Sequence, residues 1–402
     1  DTLALSGAIS GSGQLQQVGS GTTVLSGANS YSGLTTVTNG TLKAGAADTL
    51  SAVSVHQVAP GATLDTAGLN QIVGGLVNAG TVSLLSAAPG SMLKVHGDYS
   101  GQNGVLKLGT QVGTGGISDR LVIDGGKASG RTTIAITDIG GLGGATTGNG
   151  IELVSAQNGA TTTAQSTKDA FGLAGDRILA GAFDYRLAAG DLSGAGENWY
   201  LRSSFRSELP LYAAAPNLVR QGDLAMLSNL HRRVGDDDLD LQAGQRTPSG
   251  WGGQGRRAWG RILGGNTDTQ QSSSAVTTDT HLTIGGFQTG VDLYADDNWA
   301  AGLYTGMLHN TASINGLTST GVVPAGTAKL ESYYLGGYAT YSNADRFYTD
   351  LVLQYGLHDI SMRAADPMAS AGAWGSSHGN SITASVEIGQ PFALGNSDWT
   401  IE

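Results

Sequence analysis

Cysteine is absent from the 402 residues. No disulfide, thiolate nucleophile or thiolate metal site is therefore available. A chain without thiols also threads a pore in an oxidising compartment without forming covalent knots. Long apolar runs are missing too: none approaches the roughly 18 residues of a membrane helix. Lysine and arginine total 21 against 32 acidic residues, a net charge of −11 with no basic run, which argues against nucleic-acid binding. Asp1-Thr-Leu-Ala has no basic start or apolar core of a secretory signal, so an exported protein would be represented here by a mature or trimmed piece. The 7 histidines show no metal-ligand spacing, and no cofactor is expected.

Glycine is abundant instead, at 64 residues against 8 prolines. Without a collagen repeat, that much glycine implies many tight turns and many short strands. Up to about residue 205, short β-prone runs alternate with Gly, Asn and Asp: 62–65, 80–85, 91–95, 104–108, 120–124 and 131–136. Each is too short to be stable as an isolated hairpin. Stacked as rungs, they bury Leu, Val and Ile in one continuous inner column. The pattern predicts a parallel β-helix. A β-sandwich is the competing fold, with more even strand spacing and more aromatics.

From Leu211 to Val234 the pattern becomes helical. Leu211, Leu218, Leu224, Leu227, Leu230 and Val234 mostly recur at three- or four-residue spacing. Pro210 suits a helix start, Pro216 limits or kinks the first turn, and Arg232 and Arg233 suit the last turn. An ordinary domain-linking helix fits this segment as well as a pore-threading one.

Beyond about residue 256 the strands lengthen to ten residues or more. Phe347, Thr349, Leu351, Leu353, Tyr355 and Leu357 share one face, and Tyr348, Asp350, Val352, Gln354 and His358 the other. Ile382, Ala384, Val386 and Ile388 repeat the alternation. Six strands are predicted, near 256–267, 281–294, 298–311, 328–342, 345–360 and 379–393, with a seventh beginning at Trp399. Apolar-out, polar-in alternation with Trp299, Tyr333, Tyr341, Phe347 and Tyr355 at the strand ends predicts lipid-facing strands with interface aromatics. Asp292, Asp350, His358 and Glu387 become candidate lumen residues. They either hydrogen-bond a helix in the pore through Arg220, Arg232 or Arg233, or line a plainly hydrated wall.

Three segments carry a family resemblance. Residues 26–45 (SGANSYSGLTTVTNGTLKAG) resemble the strand repeat of autotransporter passengers. Residues 118–134 (SDRLVIDGGKASGRTTI) resemble the late passenger of pertactin-like autotransporters, and Asn198-Trp-Tyr-Leu-Arg202 resembles the last rung. The resemblance implies an all-β protein, with a right-handed parallel β-helix passenger over 1–205. Its autochaperone-like part covers about 100–205 and is capped by Phe183, Trp199, Tyr200 and Leu201. A linker or plug helix and loop over 206–250 follow, with Leu218, Arg220, Leu224, Leu227, Arg232 and Arg233 on the helix. An antiparallel transmembrane β-barrel, truncated, occupies 251–402. It further implies a Gram-negative outer-membrane location with the passenger at the surface or released, and partners among outer-membrane lipid, the barrel-assembly machinery, periplasmic chaperones and a host surface or matrix. An adhesin or other virulence passenger is the leading expectation. The alternative is the passenger of a secreted protease whose catalytic domain lies upstream. Some relatives cut themselves at an Asn-Asn pair in the helix, and Asn217 and Asn229 stand alone here.

No enzyme is expected from the residues present. Gly375-Ser-Ser-His-Gly379 matches the nucleophile-elbow pattern in spelling, but that motif needs a strand-turn-helix context, and a glycine-rich loop is predicted here. Asp236, Asp238 and Asp240 begin like a calcium loop, yet Leu241 and Thr247 stand where Gly and Glu are needed.

Overall fold

The computed structural model describes residues 1–162, 169–227, 258–273, 276–296, 298–318, 321–343, 347–365, 374–390, 392–393 and 400–401. They form two compact units, Asp1–Arg206 and Ser207–Glu402.

Parallel strands on three faces build the first unit. One face stacks Thr2–Leu5, Thr22–Leu25, Thr41–Ala44, Thr63–Asp65 and Thr81–Ser83, followed by the later halves of Tyr99–Thr110 and Ala128–Asp138. A second stacks Leu15–Gln17, Thr35–Val37, Val55–Val58 and Gly75–Asn78, followed by the start of Tyr99–Thr110. The third stacks Gln71–Val73, Met92–Val95, Arg120–Asp124 and Ile151–Gln157. This is the expected parallel β-helix, wound three strands to a coil.

Its core is a set of columns. Leu42, Leu64, Val82, Leu106 and Ile134 sit in successive register and are all fully buried. Each such side chain contributes about 1.5–3 kcal/mol relative to exposure. At the corner of the long strand Ala128–Asp138, Gly130 takes a φ of 70° directly beside Gly101, where a Cβ would lie 1.9 Å from the Gly101 carbonyl oxygen. Only glycine fits there.

Two polar features interrupt the apolar columns. Thr35, His56, Leu76 and Tyr99 form one column on the second face. His56 is fully buried; its Nδ1 lies 3.1 Å from the Ser54 carbonyl, and its Nε2 has no partner among the described residues. Burial pushes its pKa down to about 4, the hydrogen bond to Ser54 opposing only in part. Asp119 is the second. It is fully buried and accepts from the Gly90 and Ser91 amides (2.9 Å each) and the Ser91 hydroxyl (2.9 Å) on one oxygen, and from the Gly109 amide (2.8 Å) on the other. Four donors satisfy the carboxylate without a cation. It thereby staples the 90–91 turn to the strand Tyr99–Thr110.

On the third face parallel stacking stops after Ile151–Gln157, whereas on the first Phe171–Leu173 still pairs parallel with Ala128–Asp138. Ile151–Gln157 pairs antiparallel with Trp199–Phe205, which pairs antiparallel with Phe183–Ala189, and that in turn with Ile178–Ala180. Trp199 packs edge-on against Phe171 (5.4 Å), which stacks on Tyr99 (5.7 Å), and its Nε1 donates to the Thr162 hydroxyl at 3.0 Å. Leu201 is fully buried. Phe183 stacks on Phe205 at 5.0 Å, and Arg202 lies 5.8 Å from the Tyr200 ring.

In the second unit the helix Leu209–Leu227 precedes a six-stranded antiparallel sheet in sequential order: Ala258–Ser272, Thr277–Ala295, Trp299–Thr318, Gly321–Ser342, Tyr348–Ala364 and Trp374–Gly389. The six strands match the expected number, but they are longer, at 15 to 22 residues. On the first two strands the extra length is polar, at 268–272 and 277–280, and gives no apolar alternation to find. Pro216 lies inside the helix rather than ending its first turn. The expected continuation to about residue 235, the aspartates 236, 238 and 240, and Trp399 lie outside the described residues. Thr400–Ile401 pairs with Phe392–Ala393 in a separate ladder.

One expectation is corrected. Gly375–Gly379 is not a loop; it belongs to the sixth strand, in register with Met362 through His358. Two glycines do not break a strand whose neighbour supplies the complete ladder. No strand-turn-helix elbow forms, and His378 contacts Asp359.

Candidate functional site

The two faces of the six-stranded sheet differ in kind. On the fifth strand, Leu351, Leu353, Tyr355 and Leu357 are 41–59% exposed, while Asp350, Val352, Gln354 and His358 are all below 8%. The helix covers the second face. An open apolar face and a covered polar one is the reverse of a water-soluble sheet, and it suits strands surrounded by hydrocarbon. No helix among the described residues is long and apolar enough to cross a membrane.

Contacts run along the whole helix. Near its start, Leu211, Ala214 and Leu218 pack on Leu282, Ile314, Ala328, Leu330 and Ile360. Midway, Asn217 donates to the Thr269 hydroxyl at 3.2 Å and accepts from Arg220 at 2.9 Å. Gly222 brings the backbone close to the sheet: a Cβ there would meet Asn310 Nδ2 at 3.1 Å and the Tyr334 hydroxyl at 3.2 Å. At the next residue, the Asp223 carboxylate lies 3.6 Å from His358 Nε2 and accepts from the Thr383 hydroxyl at 3.4 Å. The Asp223 carbonyl accepts from Gln354 Nε2 at 3.2 Å. At the far end, Met226 is fully buried among Trp259, Tyr304 and Leu308. Its carbonyl accepts from Arg261 at 2.9 Å and Gln288 at 3.3 Å, and Arg261 Nε donates to Gln288 Oε1 at 2.6 Å. A guanidinium on a late helical carbonyl satisfies an acceptor and complements the negative end of the helix dipole.

Beyond that end, Trp259 Nε1 donates to Tyr338 (3.0 Å), whose hydroxyl reaches Asp292. His358 contacts the Ser332 and Ser381 hydroxyls at 2.9 and 2.8 Å. No group of three metal-ligating side chains occurs among the described residues. The arrangement holds a helix against the sheet.

Residues 258–402 match the Autotransporter beta-domain, residues 72–187 the Autochaperone Domain Type 1, and residues 15–44 the Passenger-associated-transport-repeat. The chain belongs to the autotransporters. Over its full length this autotransporter chain is similar to the adhesin BmaC autotransporter of Brucella suis biovar 1 (strain 1330), at 30% identity covering 12% of that protein. The autotransporter adhesin AIDA-I of Escherichia coli is 26% identical over 71% of the chain and 21% of its own length. The uncharacterized protein YuaQ of Escherichia coli (strain K12) is 29% identical over 96% of the chain and 28% of its own. The chain thus spans between 12% and 28% of these relatives. An autotransporter β-domain lies in the outer membrane with its passenger at the cell surface, and its insertion involves the outer-membrane assembly machinery.

Within this autotransporter the residues singled out from sequence are distributed unevenly. Leu218 is buried against the sheet and Leu227 partly so, but Leu224 is 49% exposed. Arg220 bonds Asn217 of its own helix rather than a strand. Arg232 and Arg233 lie outside the described residues. Asp292, Asp350 and His358 are buried on the helix side. Glu387 is in register with Asp350 but exposed, accepting from the Tyr348 hydroxyl at 2.9 Å. Sequence reading missed Gly222, Asp223, Arg261, Gln288 and Gln354. Helical spacing from Leu218 through Gly222 to Met226 carried the signal for the first two. A leucine-weighted reading selected Leu224 instead.

Proposed function

We propose that this autotransporter exports the β-helix of residues 1–205 through the barrel begun by residues 251–402, and that the segment 206–250 stays in the lumen as a plug. The hydrogen bonding of the helix at Asn217, Asp223 and Met226 carries this reading. Each contact engages a polar group that a lipid-embedded strand exposes only toward the inside. Among the described residues the Asp223–His358 pair links helix and wall, and Arg220 bonds its own helix instead. Phe183, Trp199, Tyr200 and Leu201 serve as the passenger cap, and the run of buried columns behind them is the template on which earlier coils fold. Conductance of the full-length protein in planar bilayers tests the plug. Removing residues 209–227 should open a larger, steady pore; equal conductance with and without them refutes the reading.

The passenger acts by binding rather than catalysis, as an adhesin. Two relatives carry that name, and the described passenger residues present ladders of side chains rather than an acid-base cluster. Adherence of cells displaying the passenger to host cells and matrix is the measurement. Adherence no greater than that of cells displaying the barrel alone defeats the adhesin assignment. A proteolytic domain upstream is the second reading, and hydrolysis by the full-length passenger would establish it.

A further inference from the structure

The outer face of the sheet has a sharp boundary. On the fourth strand, Tyr341, Ala339, Gly337, Leu335 and Tyr333 point outward in succession, and Trp299, Ala301, Leu303, Thr305 and Met307 pair with them from the third. Eight residues separate Tyr341 from Tyr333. At about 3.3 Å per residue and a tilt near 40°, this is a band of roughly 20 Å, close to the height of a lipid-facing belt. The next outward row is polar: His309, Glu331, Asp359 and His378 stand in direct register across four strands. The two adjacent carboxylates are each held by an imidazole, Glu331 by His309 at 3.6 Å and Asp359 by His378.

On the fourth, fifth and sixth strands the described residues above that row hold no acid and the cations begin, while Asp268 and Asp279 stand at this height on the first two strands. Lys329 and Arg363 are exposed, diagonal neighbours on the fourth and fifth strands, and neither has an acidic partner within 4 Å among the described residues. Trp374, 76% exposed, is in register with Arg363. The helix begins at this end of the strands, since Pro210 lies against Gly316 and Leu211 against Gly326. The passenger precedes the helix in the chain, so on the plug reading this end faces the cell surface.

We propose that Lys329 and Arg363 bind the phosphate of a phosphorylated lipid head group in the surface leaflet. One row, that of His309, Glu331, Asp359 and His378, separates the patch from the lipid belt, so a lipid seated against Leu335 and Tyr333 reaches it with its head group just past that row. A guanidinium presents two parallel donors to phosphate, and the ammonium adds a point charge. Glu331 and Asp359 are contacted by His309 and His378 rather than by Lys329 or Arg363, so both cations keep their donors free for a ligand. Trp374 beside Arg363 supplies the amphipathic ring typical of a membrane interface.

The inference rests on the barrel reading, and the experiment separates the two. The full-length protein is folded into phosphatidylcholine vesicles with or without phosphatidic acid, and the temperature at which it loses its compact, heat-modifiable form on electrophoresis is measured. The wild type should melt higher with phosphatidic acid. The double variant Lys329→Gln/Arg363→Gln should lose most of that gain while melting unchanged in phosphatidylcholine, and Lys107→Gln in the passenger should keep it. Arg363→Lys, which retains charge without the paired donors, should keep only part. Inorganic phosphate added to phosphatidylcholine vesicles should give no gain. An equal gain from free phosphate, an equal gain in the double variant, or no gain in the wild type overturns the proposal. Should the double variant not fold, retention of phosphatidic acid by the wild type in native mass spectrometry, in preference to phosphatidylcholine, decides it. Failure to insert into either vesicle refutes the barrel, not the lipid site.

Discussion

His56 sits inside the β-helix as a neutral imidazole, and acid should find it. Its ring is wholly buried, with Nε2 unpartnered among the described residues and a pKa pushed down to about 4. An unfolded chain holds the same group near 6.5. Between those values the unfolded state binds more protons, so stability is complete above pH 6.5 and falls as pH drops toward 4. The gap of about 2.5 pKa units corresponds to about 3 kcal/mol in all, and to about 2.5 kcal/mol by pH 4.5. Tyr31 and Tyr99, buried in the same interior, have phenol pKa values raised further by burial and stay neutral throughout. His56→Leu isolates the effect. Leucine continues the column above Leu76, and the Ser54 carbonyl keeps its bond from the Gly74 amide at 2.9 Å. Urea unfolding of the passenger, followed by Trp199 fluorescence at pH 7 and pH 4.5, should show the wild type losing about 2.5 kcal/mol more than the variant. Carboxylates titrate identically in both and cancel. Equal losses in the two proteins would refute the assignment of a strained neutral imidazole.

Asp119→Ala removes the acceptor for the buried Ser91 and Gly109 amides, the Ser91 hydroxyl and the Gly90 amide, so unfolding of the passenger should become easier by roughly 3 kcal/mol, read from its urea midpoint. Trp199→Ala opens a cavity beside Phe171 and leaves the Thr162 hydroxyl short of a donor; a loss of about 3–5 kcal/mol and slower appearance of protease-resistant passenger at the cell surface are expected. Gly222→Val pushes a branched side chain toward Asn310 and Tyr334, costing the helix about 1–3 kcal/mol of docking energy, visible as increased protease access to the helix in folded barrels. Arg261→Ala removes the shorter of the two bonds to the Met226 carbonyl and should increase brief pore openings in bilayer recordings, while Arg261→Lys restores part of the closure.

The architecture was legible because its strongest signals are local. Short runs between glycines announced Thr63–Asp65, Thr81–Ser83, Met92–Val95 and Arg120–Asp124, and period-two alternation announced the outward Leu351, Leu353, Tyr355 and Leu357. The candidate site was legible only on the sheet, where Asp292, Asp350 and His358 interrupt that alternation. On the helix the decisive residues are a glycine and an aspartate, types that add nothing to an apolar period, and their role exists only once Asn310, Tyr334 and Gln354 are brought opposite. Asp119 escaped for the same reason: its four donors come from Gly90, Ser91 and Gly109, positions that share no pattern with it in sequence. The antiparallel turn of Trp199–Phe205 also escaped, since strand direction leaves no trace in composition.

That reversal of direction finishes the β-helix differently from the way its coils grow. Past Ile151–Gln157 the backbone groups that would recruit one more parallel coil on that face are taken by Trp199–Phe205, and Phe183–Ala189 shields the next layer. The edges still open there are two three-residue strands, Phe171–Leu173 and Ile178–Ala180. Edges that short give a neighbouring copy little ladder to extend, which disfavours fibres joined through that end.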